Sequence, residues 1–302
     1  GTIEYYNKYS VDLLAAINGS PTQGFGYTTL MTNNGKMVNR GVEITLSGEI
    51  IRQKDFSWNA SLLYAFNRNK VKHISVQPSL WDSRISMPTS YPMVGKPLYG
   101  IYAYKWAGLN ENGDPQVYDA ENNVTSGPAR DYHALVYCGT TVPIHNASLT
   151  NVLRYKGFEF SAMLILDAGH KLRSSNIPSI NMSNGRITST AKGIVDRWTQ
   201  PGDVTDVPRL LFSNDTENFN THRTELYRYS DLFVYDASNI RLSNISLAYR
   251  VPAHWCKKIS LSGARLQFNV ENVATFAFDS KANYDLGGKV KPNYVWGLYL
   301  NF

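Results

Sequence analysis

Few residues in this chain could do bond-making chemistry, and none stands at a spacing that such chemistry needs. The six histidines, His73, His133, His145, His170, His222 and His254, form no pair with metal-ligand separation. Cys138 and Cys256 are far apart in unlike contexts and read as two free thiols, not as a redox or zinc pair. No nucleophile elbow, no phosphate-cradling glycine loop and no recognisable acid/base pair of carboxylates is present. Asn110-Glu111-Asn112-Gly113-Asp114 sets oxygen ligands around a glycine. It lacks the further spacing and the terminal bidentate Glu of a calcium loop, so it reads as a plain turn. The expectation is a protein without catalytic residues, resident metal or cofactor, and so not an enzyme.

What remains is aromatic surface in the long stretches between apolar segments. Flat rings stack on the C–H faces of sugars and pack against peptides, but the same rings also form the cores of long loops. Trp81, Trp106 and Trp198 stand first as ligand-contact candidates because tryptophan offers the largest face, with Tyr99 and Tyr102 beside them.

Composition limits the setting of these rings. Of 302 residues, 13% are aromatic and only 18% charged, against about 25% charged in an average soluble domain. The net charge of +6 comes from 30 Lys and Arg against 24 Asp and Glu. These cations form no run interleaved with aromatics, so a nucleic-acid partner is not expected. No apolar run reaches about 18 residues, which excludes a transmembrane helix but not transmembrane strands.

Strands are what the hydropathy pattern shows. The last nine residues alternate: Tyr294, Trp296, Leu298, Leu300 and Phe302 make one apolar, aromatic face, and Val295, Gly297, Tyr299 and Asn301 the other. The same rhythm predicts strands over Thr2–Val11, Arg40–Ile51, Asp55–Asn67, Asn146–Tyr155, Gly157–Asp167, Asn239–Val251, Ala264–Asn272 and Asn293–Phe302. The apolar faces are long and nearly unbroken, while the opposite faces carry charges and amides in mid-strand, as a lipid boundary and a wet lumen demand. The links alternate between short and long, as in an up-and-down barrel with short periplasmic turns and long extracellular loops. One strand breaks phase: Ile240 and Leu242 are even, whereas Ile245, Leu247 and Tyr249 are odd. A bulge near Ser243-Asn244 repairs the phase.

Several blocks resemble the SusC/RagA-type TonB-dependent outer-membrane transporters. They are Tyr5-Tyr6-Asn7-Lys8, Asn39-Arg40-Gly41-Val42-Glu43, Asn67-Arg68-Asn69-Lys70-Val71, Val94-Gly95-Lys96-Pro97-Leu98, Asn151 to Phe158, Arg197-Trp198 with Pro201-Gly202-Asp203, and, most specifically, Asp236 to Leu247. The resemblance covers essentially the whole chain. It implies an all-β, antiparallel transmembrane barrel of roughly 22 strands, filled by a plug that meets TonB in the periplasm and closed outside by a SusD-like lipoprotein. It implies the outer membrane of a Gram-negative, Bacteroidetes-type bacterium, and uptake of oligosaccharides or oligopeptides. On this pattern residues 1–302 are the carboxy-terminal part of the barrel, about eight strands, without plug, TonB box or the first strands. The terminal face of Tyr294, Trp296, Leu298, Leu300 and Phe302 then serves barrel assembly. The Arg-Trp-x-x-Pro-Gly-Asp block recurs in the family whatever the substrate, which gives Trp198 a structural reading beside the ligand one. A siderophore or cobalamin receptor of the same architecture, and a surface adhesin or structural barrel that transports nothing, are the alternatives.

Overall fold

In the computed structural model of the chain, residues 1–18, 29–74, 83–127, 131–182, 190–212, 221–287 and 291–302 are described. Eight strands form one antiparallel sheet in strict sequence order: β1 (Thr2–Asn18), β2 (Thr29–Arg52), β3 (Phe56–His73), β4 (His145–Tyr155), β5 (Phe158–Ala168), β6 (Asn239–Arg250), β7 (Gly263–Ala277) and β8 (Asn293–Asn301). The order is that of an up-and-down barrel wall. The wall is open: β1 and β8 are its edges.

Register lines the apolar residues up across strands. Trp58, Leu153, Phe160, Leu247, Phe268 and Trp296 make one row from β3 to β8. Leu46, Leu62, Leu149, Leu164 and Leu242 make another. At the short-link rim, Phe56, Tyr155, Phe158 and Tyr249 sit side by side on four consecutive strands. The ten steps from Phe56 to Phe66 along β3, at about 3.3 Å each and tilted by about 40°, rise about 25 Å. That is the height of the apolar band on a bacterial outer-membrane barrel. Large side chains stay exposed on this face, with Trp296 at 78% and Leu298 at 61%. A soluble sheet would bury them.

The opposite face is polar and pairs with itself. Glu159 accepts from Arg154 Nε at 2.8 Å and from an Arg265 guanidinium nitrogen at 3.1 Å. An Arg241 nitrogen lies 3.6 Å from Asp167. Gln267 donates to Ser246 Oγ and to Asn269 Oδ1. Tyr6 lies over its cross-strand partner Gly41 so closely that no Cβ fits there, which accounts for the glycine in that block.

The phase break in β6 is a bulge. Leu242 pairs with Ala274 and Asn244 with Glu271, so Ser243 is the inserted residue. Four strands run further than the alternation predicts. β1 continues to Asn18, with Asp12, at φ 54°, at the register shift between Ser10 and Leu13. β2 already begins at Thr29, β3 continues to His73 and β7 to Ala277. These extensions lie at the long-link rim, above the apolar band, where no hydrocarbon boundary imposes alternation.

The links of residues 74–144 and 169–238 are not plain loops. They contain small two- and three-stranded sheets and the helix α1 (Thr221–Arg228), and they pack on each other. One core joins Tyr102, Tyr104, Val117, Ala134 and Leu135 to Leu226 of α1. A second joins Ile180, Tyr227 and Phe233, and Trp106 packs against both. No helix among the described residues is long and apolar enough to cross a membrane.

Candidate ligand-capture surface

The unit built by the long links is held by specific contacts as well as by its cores. Arg223 of α1, its side chain 4% exposed, donates from Nε to Asp114 Oδ1 at 3.0 Å. It also donates to the Ile180 carbonyl, to Asn181 Oδ1 and to the Arg209 carbonyl. Arg209 closes a fork on the same carboxylate, at 3.0 and 2.8 Å. The carboxylate of Asp114 is thus spent on two guanidinium groups. Asn110 Oδ1 accepts from the backbone N–H of Asn112 and Asp114, and Gly113 holds φ 75°. This segment is a turn that seats an arginine pair. Among the described residues no cluster of three metal-ligating side chains exists.

The aromatic candidates separate by position. Tyr102 is core: it is 1% exposed, its hydroxyl accepts from the Met93 N–H, and Arg84 stacks over its ring. Trp106 is tied at both ends, its backbone N–H to Asp231 and its indole N–H to Asp206 at 2.9 Å, with Tyr227 at 5.9 Å. Trp198 lies across Gly113 where a Cβ would collide with the indole. Its outer side lines an open cleft of about 690 Å³ with Asn110, Glu111, Asn112, Asp203 and Thr205. Asp203 accepts from the Thr199 N–H and hydroxyl and from the Gln200 N–H, bonds that hold its carboxyl below the usual range. Tyr99 is half exposed and lines a different cleft, of about 800 Å³, where β2 and β3 meet segment 95–99. Trp81 lies outside the described residues. Among the described candidates, Trp198 and Tyr99 line separate clefts.

The most specific sequence block is a clasp rather than a site. Asp236 Oδ1 accepts from the Ser238 N–H, Ser238 Oγ accepts from the Gly169 N–H, and the Phe278 N–H reaches the Ser238 carbonyl. The tops of β5, β6 and β7 meet there. Lys171 adds an ion pair to Asp236 at 3.0 Å. Asp285, from the link between β7 and β8, accepts from Ser174 and Ser175 hydroxyls at 2.7 and 2.6 Å. The two cysteines are free: Cys138 is partly buried in the long-link unit, and Cys256 is buried in the short helix Ala253–Cys256 at the opposite rim.

No protein-family model matches the chain. Curated relatives do. A TonB-dependent receptor of Formosa agariphila is 24% identical over 98% of this chain and 30% of its own length. The TonB-dependent receptor SusC of Bacteroides thetaiotaomicron is 23% identical over 90% of this chain and 26% of its own. Among solved structures, the RagAB peptide transporter superposes with a TM-score of 0.72 and 21% identity, over 99% of this chain and 33% of that one. An open wall of antiparallel strands with an exposed apolar band, a polar inner face and long extracellular links is a section of an outer-membrane β-barrel of a Gram-negative bacterium. In sequence it is similar to the TonB-dependent receptors just described, SusC among them, and in fold to the barrel wall of the peptide transporter. The chain spans about a third of the length of the curated relatives it matches, and those relatives are receptors by name, not enzymes.

Proposed function

We propose that residues 1–302 are the carboxy-terminal part of an energised importer that takes up oligosaccharides or oligopeptides with a SusD-like lipoprotein. The observation that carries this reading is a likeness to SusC over 90% of the chain, joined to the barrel-wall fold of a peptide transporter. The rest of the wall and a plug come from other segments of the same receptor, because unpaired strand edges in lipid cost several kcal/mol per group. TonB acts through that plug. The long-link unit, kept rigid by its own cores, is the capture surface. The cleft beside Trp198 supplies a flat apolar ring next to the carboxylates of Glu111 and Asp203, a mixture that suits a sugar or a peptide. The outward residues of β8, from Tyr294 to Phe302, act in assembly.

Uptake of labelled oligosaccharide and peptide pools by cells carrying the whole receptor tests this. One pool should enter, and entry should stop without TonB. Trp198→Ala should lower uptake about tenfold at unchanged surface level, the worth of one aromatic contact. Uptake that persists without TonB overturns the importer reading. Uptake that ignores Trp198→Ala overturns the assigned cleft alone.

A further inference from the structure

The outward face of β3 changes chemistry at one residue. From the short rim upward it reads Phe56, Trp58, Ala60, Leu62, Tyr64, Phe66, and then, on the same face, Arg68 and Lys70, with Lys72 following at a slip of register between the Met37–Val71 and Lys36–His73 pairs. Arg40 of β2 stands directly opposite Arg68 in the register. Like charges placed opposite each other destabilise a sheet unless something of the other sign lies between or above them. No described side chain supplies that sign. These four cations and Lys96 line the cleft of about 800 Å³, and its lining holds no Asp or Glu. Arg40 reaches only the amide oxygen of Asn7, and Lys96 lies 4.9 Å over the ring of Tyr137. Among the described residues none of the five makes an ion pair.

Position selects the missing anion. Arg40, Arg68 and Lys70 follow the apolar residues in phase, so they face outward, and they begin where the band of about 25 Å ends, at the depth of the head groups. The inward face at this height is already closed. Asn69 donates to Asn39 at 2.7 Å, and its oxygen accepts from the Leu98 N–H. Neighbours on one face of a strand are about 6.6 Å apart, so Arg68 and Lys70 can share one phosphate group, with guanidinium forks supplying paired hydrogen bonds.

We propose that Arg40, Arg68, Lys70, Lys72 and Lys96 form a binding site for the phosphate of a phosphorylated glycolipid head group in the outer leaflet, which holds this sector of the rim at a fixed depth. The test uses the whole receptor in detergent, with three probes: phosphorylated lipid A, its dephosphorylated counterpart with the same acyl chains, and inorganic phosphate. Binding is read as lipid retained per receptor and as Kd. The unaltered receptor should prefer the phosphorylated lipid, and its affinity should fall steeply with salt. The triple change Arg40→Gln, Arg68→Gln, Lys70→Gln should weaken that binding about tenfold or more, since each cation near an anionic surface is worth several-fold. It should leave the dephosphorylated lipid unaffected. Lys8→Gln on the inward face should change nothing, and Arg40→Lys with Arg68→Lys should keep most of the binding. Equal binding of both lipids, salt-independent binding, a triple variant that binds like its parent, or loss in the charge-retaining variant overturns the proposal. Inorganic phosphate that binds as tightly as the lipid also overturns it, in favour of a free-anion site.

Discussion

Arg223 Nε donates to Asp114 Oδ1 at 3.0 Å, and this contact fastens a helix of one long link to a turn of the other. The partners are 109 positions apart in sequence. Arg223 is nearly fully enclosed, so Asp114→Ala leaves an enclosed cation beside the Arg209 guanidinium with no carboxylate between them. Breaking such a pair costs about 3 kcal/mol, far more than an exposed ion pair. The expected outcome is a long-link unit that opens to protease on intact cells while the barrel keeps its heat-modifiable gel migration. Protease resistance equal to the parent's would show that the apolar cores alone hold the unit.

The faces of β8 make a second prediction. Leu298 lies outward beside Leu266, and Val295 inward beside Asn269. Leu298→Arg in the whole receptor sets a charge on the lipid face and should reduce outer-membrane yield. Val295→Arg, in the wet interior, should be tolerated. Equal loss in both variants rejects the assignment of faces and, with it, the role of Tyr294, Trp296, Leu298, Leu300 and Phe302 in assembly.

How much of this was legible in the sequence depends on whether a period was at stake. Lipid on one side and water on the other impose alternation, so each wall strand announced itself, and even the Ser243 insertion showed as a slip of phase from Leu242 to Ile245. The long-link unit has no such boundary. Gly100–Tyr104 is buried at every position, so nothing alternates to mark Tyr102 as core rather than surface. Asp114 looked like a turn residue and is one, but its two arginines come from 95 and 109 positions away and leave no local signal. Trp198 was legible as an aromatic; that its ring is seated on Gly113 was not.

A third prediction concerns acid. Burial works against ionisation of Asp236, but the Ser238 hydroxyl and N–H and the Lys171 ammonium outweigh it and hold the carboxyl at about 2. A carboxyl held below its unfolded value stabilises the fold above that value, and the contribution is lost as pH falls through the folded one. The clasp over β5, β6 and β7 should therefore loosen between about pH 4 and pH 2. Proteolysis by an acid-active protease should rise at the 169–238 link across this window, and Asp236→Asn should flatten the rise. A variant that keeps the full acid response places its origin in other carboxyls.

The fourth prediction is topological. β8 ends at the short-link rim, and each hairpin reverses direction, so the two cysteines lie on opposite sides of the membrane and cannot pair. They are poor probes, however. Burial pushes the Cys138 thiol up to about 11, so little of it is the reactive thiolate at neutral pH, and Cys256 is enclosed. Exposed positions serve better: Val204 stands free of its neighbours on the long-link unit, and Lys258 is exposed at the short rim. With both native cysteines changed to serine, Val204→Cys in the whole receptor should react with an impermeant maleimide on intact cells. Lys258→Cys should react only once the outer membrane is opened. The reverse pattern would put the Trp198 cleft on the periplasmic side and remove the case for the long links as a capture surface.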